Sequence, residues 1–460
     1  MKTQGLVKRA SYFMAKIYGI LSTVCAVIVV SNSVASATEY KLTILNTQGG
    51  ASRAYAINNS GQVVGFFPVS NGETHAFLYS NGTMNDLGNM GGTRSDALDI
   101  NDSGQIVGLY FIGGEQHAYL YSKGTKTDIG TLGGKNSVAW SINDAGNVVG
   151  YSTTAAGEPN SHAFLYGNKT MTDLGTLGGN RSEAWDSNDS GQIVGYSLTA
   201  SGLQHAFLYS NGTMTDLGTL GGTRSGAQGI NGSGQIVGYS STASGLQHAF
   251  LYSNGTMTDL GTLGGNSSTA TGINNLGQVV GMSITASGEQ HAFLYSNGTM
   301  TDLDISSSLP RRFQINDAGQ IVGTALINGL ETAILLTPID TTPPVINSLL
   351  PDKAILWPAN HQMVTVKILT QVSDDSGKPV NLRVSVTSNE PQDGLGDGDK
   401  SPDWTAPVTD NGIITLQLRA ERSGKGNSRT YTVKIVAVDE AGNASSEEIV
   451  NILVPHDKGK

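Results

Sequence analysis

The chain has 460 residues with 27 basic and 37 acidic side chains, a net charge of −10, 60 glycines and a single cysteine. That acidic balance argues against nucleic acid as a partner, because affinity for a polyanion rests on many Lys and Arg contacts to phosphate. Few charges and regularly spaced apolar residues exclude a disordered chain and point to a turn-rich β protein.

At the N-terminus, Lys2, Lys8, Arg9 and Lys16 flank or precede an uncharged apolar stretch over residues 17–30, followed by Ala35, Ser36 and Ala37. This is the order of a secretory signal peptide, with cleavage expected after Ala37. The apolar stretch is shorter than the roughly 20 residues a spanning helix needs, so no stable membrane anchor is expected after cleavage. Removal of residues 1–37 takes away four basic side chains and the only cysteine, Cys25, leaving a net charge of −14. The mature chain is thus expected to be free of disulfides, and its stability must come from packing and closed topology.

Three phrases then recur. His-Ala-Phe-Leu or a near copy begins at His75, His117, His162, His205, His248 and His291, with spacings of 42, 45, 43, 43 and 43 residues. A second phrase, close to Asn-x-x-Gly-Gln-Ile/Val-Val-Gly, begins at Asn58, Asn101, Asn143, Asn188, Asn231, Asn274 and Asn316. The third, Asp-Leu-Gly-x-Leu-Gly-Gly, is clear at Asp173, Asp216 and Asp259 and recognisable at Asp86 and Asp128. A period of about 43 residues is that of a propeller blade, and each unit divides into four short runs bounded by Gly, Asn and Ser. Asn-Gly pairs between apolar runs, as at Asn254 and Gly255, predict two-residue hairpin turns.

A lone run over residues 40–45 precedes the first complete unit, and residues 331–336 end the last one without a successor strand. The first can complete the sheet of the second and close a ring without an exposed edge. The expected fold is all-β: a seven-bladed β-propeller of four-stranded blades closed by the N-terminal strand, with an open solenoid as the alternative.

These phrases resemble the HAF-type extracellular repeat family of bacterial exported proteins, over residues 38–337. The resemblance implies export and a repeat scaffold, and it carries no reaction or ligand. In the seventh unit Thr332 stands where the histidine would be, so a role requiring one histidine per unit is not expected.

Six histidines suggest zinc, but equivalent positions in a ring do not converge. A structural bond from each histidine to the aspartate of the following strand is expected instead, as for His205 and Asp216. Residues that break the repeat are the place to seek function: Glu73, Asp96, Glu115, Glu158, Glu183, Glu289, Arg311 and Arg312. They are scattered singly, and no pair stands out as the two carboxylates of a glycosidase. Trp140 and Trp185 hold matching positions just before the asparagine phrase; they read as core, or as a platform on which a sugar stacks.

Periodicity ends at Thr337. Residues 338–344 read as a stiff linker, and five alternating runs beyond it predict a β-sandwich over residues 345–460. Asp340-Thr-Thr-Pro-Pro344, Trp357-Pro-Ala-Asn-His361 and Val438-Asp-Glu-Ala-Gly-Asn443 resemble bacterial immunoglobulin-like and hyalin-repeat-like modules, which implies a display or spacer role. One loop gathers Asp393, Asp397, Asp399 and Asp403 among glycines. Calcium takes six to eight oxygens, so the loop is read as a calcium site or as a solvated acidic turn.

The function expected from these residues is that of an exported, monomeric, non-enzymatic scaffold or binding protein for an extracellular glycan or protein, placed in the periplasm, at the cell surface or in the medium. The alternative is a secreted propeller enzyme of glycosidase or lyase type.

Overall fold

The computed structural model describes residues 26–28, 39–45, 51–157, 159–307, 312–391, 401–422 and 428–455. Tyr40–Pro338 and Ile339–Lys460 fall in separate compact units. Among the described residues there is no helix. Of the expected signal peptide only residues 26–28 are described, and their backbone pairs with the strand Glu39–Ile44.

The first unit is a ring of similar four-stranded antiparallel sheets. One of them runs Gly221–Ile230, Ile236–Thr242, Gln247–Ser253 and Thr256–Gly261, from the axis of the ring outward. The Gly-Gly pair lies inside the inner strand, and a bulge separates Gly221 from Ser225. A second bulge follows Ala227. It brings the backbone so close that a Cβ on Gly238 would meet the Gly226 carbonyl oxygen at 2.0 Å, which accounts for the glycine closing the Val-Gly phrase. The Asn-Gly turns are as expected, with Asn254 at φ 51° and Gly255 at φ 81°.

Both faces of each sheet are buried, which is why the outer phrase is apolar at successive positions. Phe207 packs inward with Val149, Ala163 and Ile193 of its own and the preceding unit. Its neighbour Ala206 packs the other way, with Ala227, Ile236 and Phe250 of the next. Phe77, Phe164, Phe207, Phe250 and Phe293 are all fully buried in this way. The last interface repeats the pattern: Val322, Ala333 and Leu335 from the end of the ring pack with Ala54, Val63 and Phe77 from its start.

Polar closure accompanies the apolar one. The strand Glu39–Ile44 lies beside Leu330–Ile339 in the sheet that also holds Ile321–Ile327 and Gln314–Ile315. The Ala206 amide donates to Ser225 Oγ of the next unit at 2.8 Å, and the Ala333 amide donates to Ser52 Oγ at 3.0 Å.

The asparagine phrase does more than turn the chain. In each unit the side-chain oxygen accepts from the amide four residues on, as from Gln192 to Asn188 at 3.0 Å. The side-chain nitrogen reaches the next unit. Asn58 donates to the carbonyl of Asn101 at 3.0 Å, Asn101 to Asn143 at 3.0 Å and Asn143 to Asn188 at 3.0 Å. Asn188 donates to Asn231 at 3.1 Å, Asn231 to Asn274 at 3.1 Å, Asn274 to Asn316 at 3.0 Å, and Asn316 returns to Asn58 at 3.0 Å. The bonds form a closed cycle of buried groups.

The second unit has two antiparallel sheets. One holds Val345–Pro351, Met363–Ser373, Ile413–Arg419 and Val408–Asp410; the other holds Asn381–Ser388, Arg429–Val438 and Glu448–Val454. Val366, Ile368, Ile414, Leu416, Tyr431, Val433 and Ile452 form its core. The segment expected to be a linker is partly strand, since Leu330–Ile339 continues past Pro338.

Asn188→Ala leaves the Gln192 amide without its acceptor and takes from the Asn231 carbonyl one of its two donors, the other being the Gly234 amide. We expect a loss of about 1–3 kcal/mol in urea denaturation, against less than about 1 kcal/mol for His205→Ala, whose aspartate partner is part-exposed. An equal or larger loss in the histidine variant would assign the closure to the outer strands instead.

Candidate functional site

The residues before each asparagine form layers around the axis of the ring. Immediately before it stand Ile57, Ile100, Ile142, Ser187, Ile230, Ile273 and Ile315. This layer is nearly uniform and packs between units. Two places before stand Ala56, Asp99, Ser141, Asp186, Gly229, Gly272 and Gln314; three places before stand Tyr55, Leu98, Trp140, Trp185, Gln228, Thr271 and Phe313. These two layers are where the copies disagree.

A cavity of about 240 Å³ opens among them, lined by Trp140, Glu183, Trp185, Gln228, Thr269, Thr271, Met282 and Arg312. The structure therefore brings together Trp140 and Trp185, which matching repeat positions had suggested, with Glu183 and Arg312, which break the repeat. The Trp185 ring lies 5.0 Å from Tyr196 and 6.4 Å from Tyr239, centroid to centroid. Glu183 is buried and fully engaged: it accepts from Arg181 at 2.6 Å, from Trp185 Nε1 at 3.1 Å and from the Tyr196 hydroxyl at 2.7 Å. Trp140 Nε1 is buried and has no hydrogen-bond partner among the described residues. Arg312 donates to the Trp185 carbonyl at 3.4 Å, a long contact.

Beneath this cavity sit two carboxylates that sequence reasoning missed, Asp99 and Asp186. Asp99 accepts from the amides of Ile100 and Ile142, each at 2.9 Å. Asp186 accepts from Ser141 Oγ, from the Ser187 amide and from the Ile230 amide, each at 2.9 Å. Each carboxylate thus ties its own inner strand to a neighbouring one. Burial, then repulsion from Asp186, pushes Asp99 up to about 6 despite Arg312 and these donors. Burial also raises Asp186, with Arg312 opposing. Their signal in the sequence was positional: small residues or Gln occupy the same place in the other units.

The opposite end of the axis has another cavity, of about 210 Å³, rimmed by Asn59, Asp102, Asp144, Asp189, Asn275 and Asp317. Most of these side chains accept the backbone amide of the preceding unit, as Asp144 does from Asp102 at 2.8 Å. They are spread around the rim. Among the described residues, the three carboxylates whose oxygens come within 4.8 Å of one another are Asp340, Asp374 and Asp375, in the second unit.

The histidines sit one per unit in the strand that the Asp-Leu-Gly strand follows. His75 meets Asp86 at 2.9 Å, His117 meets Asp128 at 2.9 Å and His162 meets Asp173 at 2.8 Å. His205 meets Asp216 at 2.7 Å and His248 meets Asp259 at 2.8 Å. A sixth pair, His291 with Asp302 at 2.9 Å, was hidden from the motif scan. There Asp304 replaces the glycine and takes its positive φ, 54°, a conformation aspartate tolerates. Asp393, Asp397 and Asp399 of the expected calcium loop lie outside the described residues, as do Glu158 and Arg311. Asp403 is buried and its carboxylate pairs with Arg429, so one of its oxygens is directed to a guanidinium.

No family model matches the chain and no curated protein matches it. Among solved structures it is similar to TolB from Acinetobacter baumannii, with 12% identity and a TM-score of 0.37, covering 60% of this chain and 63% of that one, under two thirds of its length. It is also similar to AofleA from Arthrobotrys oligospora, solved as a triple arginine-to-alanine mutant, with 11% identity and a TM-score of 0.32, covering 60% of this chain and 93% of that one.

The raised Asp99 makes stability depend on pH. The folded chain holds this proton more tightly than the unfolded chain, so its contribution is full below about pH 4 and is lost as pH rises to about 6. Chemical denaturation of parent and Asp99→Asn at pH 4 and pH 7.5 should show the difference between them shifting by about 2 kcal/mol in the variant's favour at the higher pH. A constant difference would mean that Asp99 titrates normally.

Proposed function

We propose that the chain is an exported, non-enzymatic binding protein: a seven-bladed β-propeller offering one recognition pocket at the end of its axis away from the asparagine cycle, followed by an immunoglobulin-like sandwich that serves display or attachment. Seven inner strands joined through seven asparagines support the blade count. Sheets of four and three antiparallel strands about one core support the sandwich. Export rests on the basic, apolar and small-residue order of residues 1–37.

The observation that carries the binding reading is the convergence of repeat-breaking side chains on one cavity. A ring of near-identical units gives no structural reason for Trp140, Trp185, Glu183 and Arg312 to differ from their equivalents and to meet at one place. Two indoles in an apolar hollow suit the face of a sugar ring or an apolar side chain of a protein partner. The two carboxylates below, which an enzyme of glycosidase type would need, have their oxygens engaged by backbone amides and Ser141, so they serve as ties between strands.

Screening the full chain against glycans, surface polymers and secreted proteins should find a ligand whose affinity falls at least tenfold in Trp185→Ala. The Trp140→Ala variant should show the same loss, with the β circular dichroism spectrum of the parent retained in both. Full affinity in both variants would place recognition elsewhere.

A further inference from the structure

We infer that the ligand of this pocket carries a carboxylate on a ring-shaped body, the ring lying against the tryptophans and the carboxylate meeting Arg312. The inference rests on reading the cavity as the binding site, and it follows from a count of what the walls can offer. The one carboxylate in the lining, Glu183, is saturated by Arg181, Trp185 and Tyr196. The Thr271 hydroxyl donates to the Phe313 carbonyl at 2.7 Å, and Thr269 Oγ1 accepts from Gln247 at 2.9 Å. Gln228 adds one amide that offers an oxygen and an NH2 together, so the acceptors of the wall are mostly engaged.

Its donors are in the opposite state. Arg312 has five N–H groups; among the described residues it makes one long contact, to a carbonyl, and no carboxylate lies within 4.0 Å of it. Trp140 Nε1 has no partner. A pocket with unused donors and mostly engaged acceptors favours an acceptor-rich ligand over a cation or a donor-rich one, because an unmet donor away from water is costly until something accepts from it. A planar carboxylate answers a guanidinium with two parallel bonds. Asp99 and Asp186 reduce the positive field of Arg312, yet their oxygens are held by amides and Ser141, and neither makes an ion pair with the guanidinium.

Two kinds of molecule have this chemistry, an acidic sugar and an aromatic acid, and the experiment separates them. Titration calorimetry on the full chain would use oligogalacturonate against its methyl ester, and benzoate against methyl benzoate. At least one acid should bind tenfold or more tightly than its ester; which acid does so identifies the source. Arg312→Gln should lose that tenfold preference and bind acid and ester alike, Arg312→Lys should keep part of it, and Arg224→Gln, a charge change on the exposed rim, should alter neither.

Acid and ester binding equally to the parent would overturn the inference. So would an unchanged preference in Arg312→Gln, tighter binding of benzylamine than of benzoate, or binding of neither acid. If neutral glycans or proteins bind in a Trp185-dependent way while the acids do not, the inference fails and the binding function stands.

Discussion

Ring closure is the constraint on which the rest of the first unit depends. A four-stranded sheet with both faces apolar cannot stand alone, and an open row of such sheets leaves two apolar faces and a strand edge exposed. Here the last sheet is completed by Glu39–Ile44, and its apolar face meets the first sheet through Val322, Ala333 and Leu335 against Ala54, Val63 and Phe77. The asparagine cycle shows the same closure in polar terms. Each side chain shapes its own turn and donates to the next unit, so removing one orphans an amide in its own unit and cuts the tie to the next.

The hierarchy of repetition follows from that constraint. The asparagine is present in all seven units, whereas the histidine is replaced by Thr332 in the seventh. Asparagines lie in the buried, cyclic layer, where a missing member breaks a chain of bonds. The histidine–aspartate pairs lie within single units with part-exposed aspartates, where the loss of one is local. A residue's tolerance of change thus tracks how many units its bonds join.

Around a frame so uniform, departures stand out. Asp99 and Asp186 replace small residues in the layer above the isoleucines, and each binds the amide of a neighbouring inner strand. Their burial disfavours the charged form, a cost that the same strands could avoid with the residues the other units use. Directly over them lie the two tryptophans and Arg312. The second unit also holds buried charge, at Asp403, Glu421 and Arg429, but there the opposite charges touch. Arg312 has no such carboxylate contact among the described residues.

The sequence by itself determined the repeat, its period, the four runs per unit, the Asn-Gly turns, the strand that closes the ring and the pairing of His205 with Asp216, because each is set by local spacing or by turn chemistry. It also determined that function should be sought where copies differ, and it singled out Trp140, Trp185, Glu183 and Arg312. Only the tertiary structure decided which of those meet. Trp140 and Arg312 are 172 positions apart along the chain and line one cavity because the ring folds five inner strands around it. The role of the asparagine was hidden for the same reason: a turn is legible in five residues, but a bond to the next unit spans 42 to 45. Asp99 and Asp186 belong to no motif and were passed over in the sequence; the axis of the ring places them inside it.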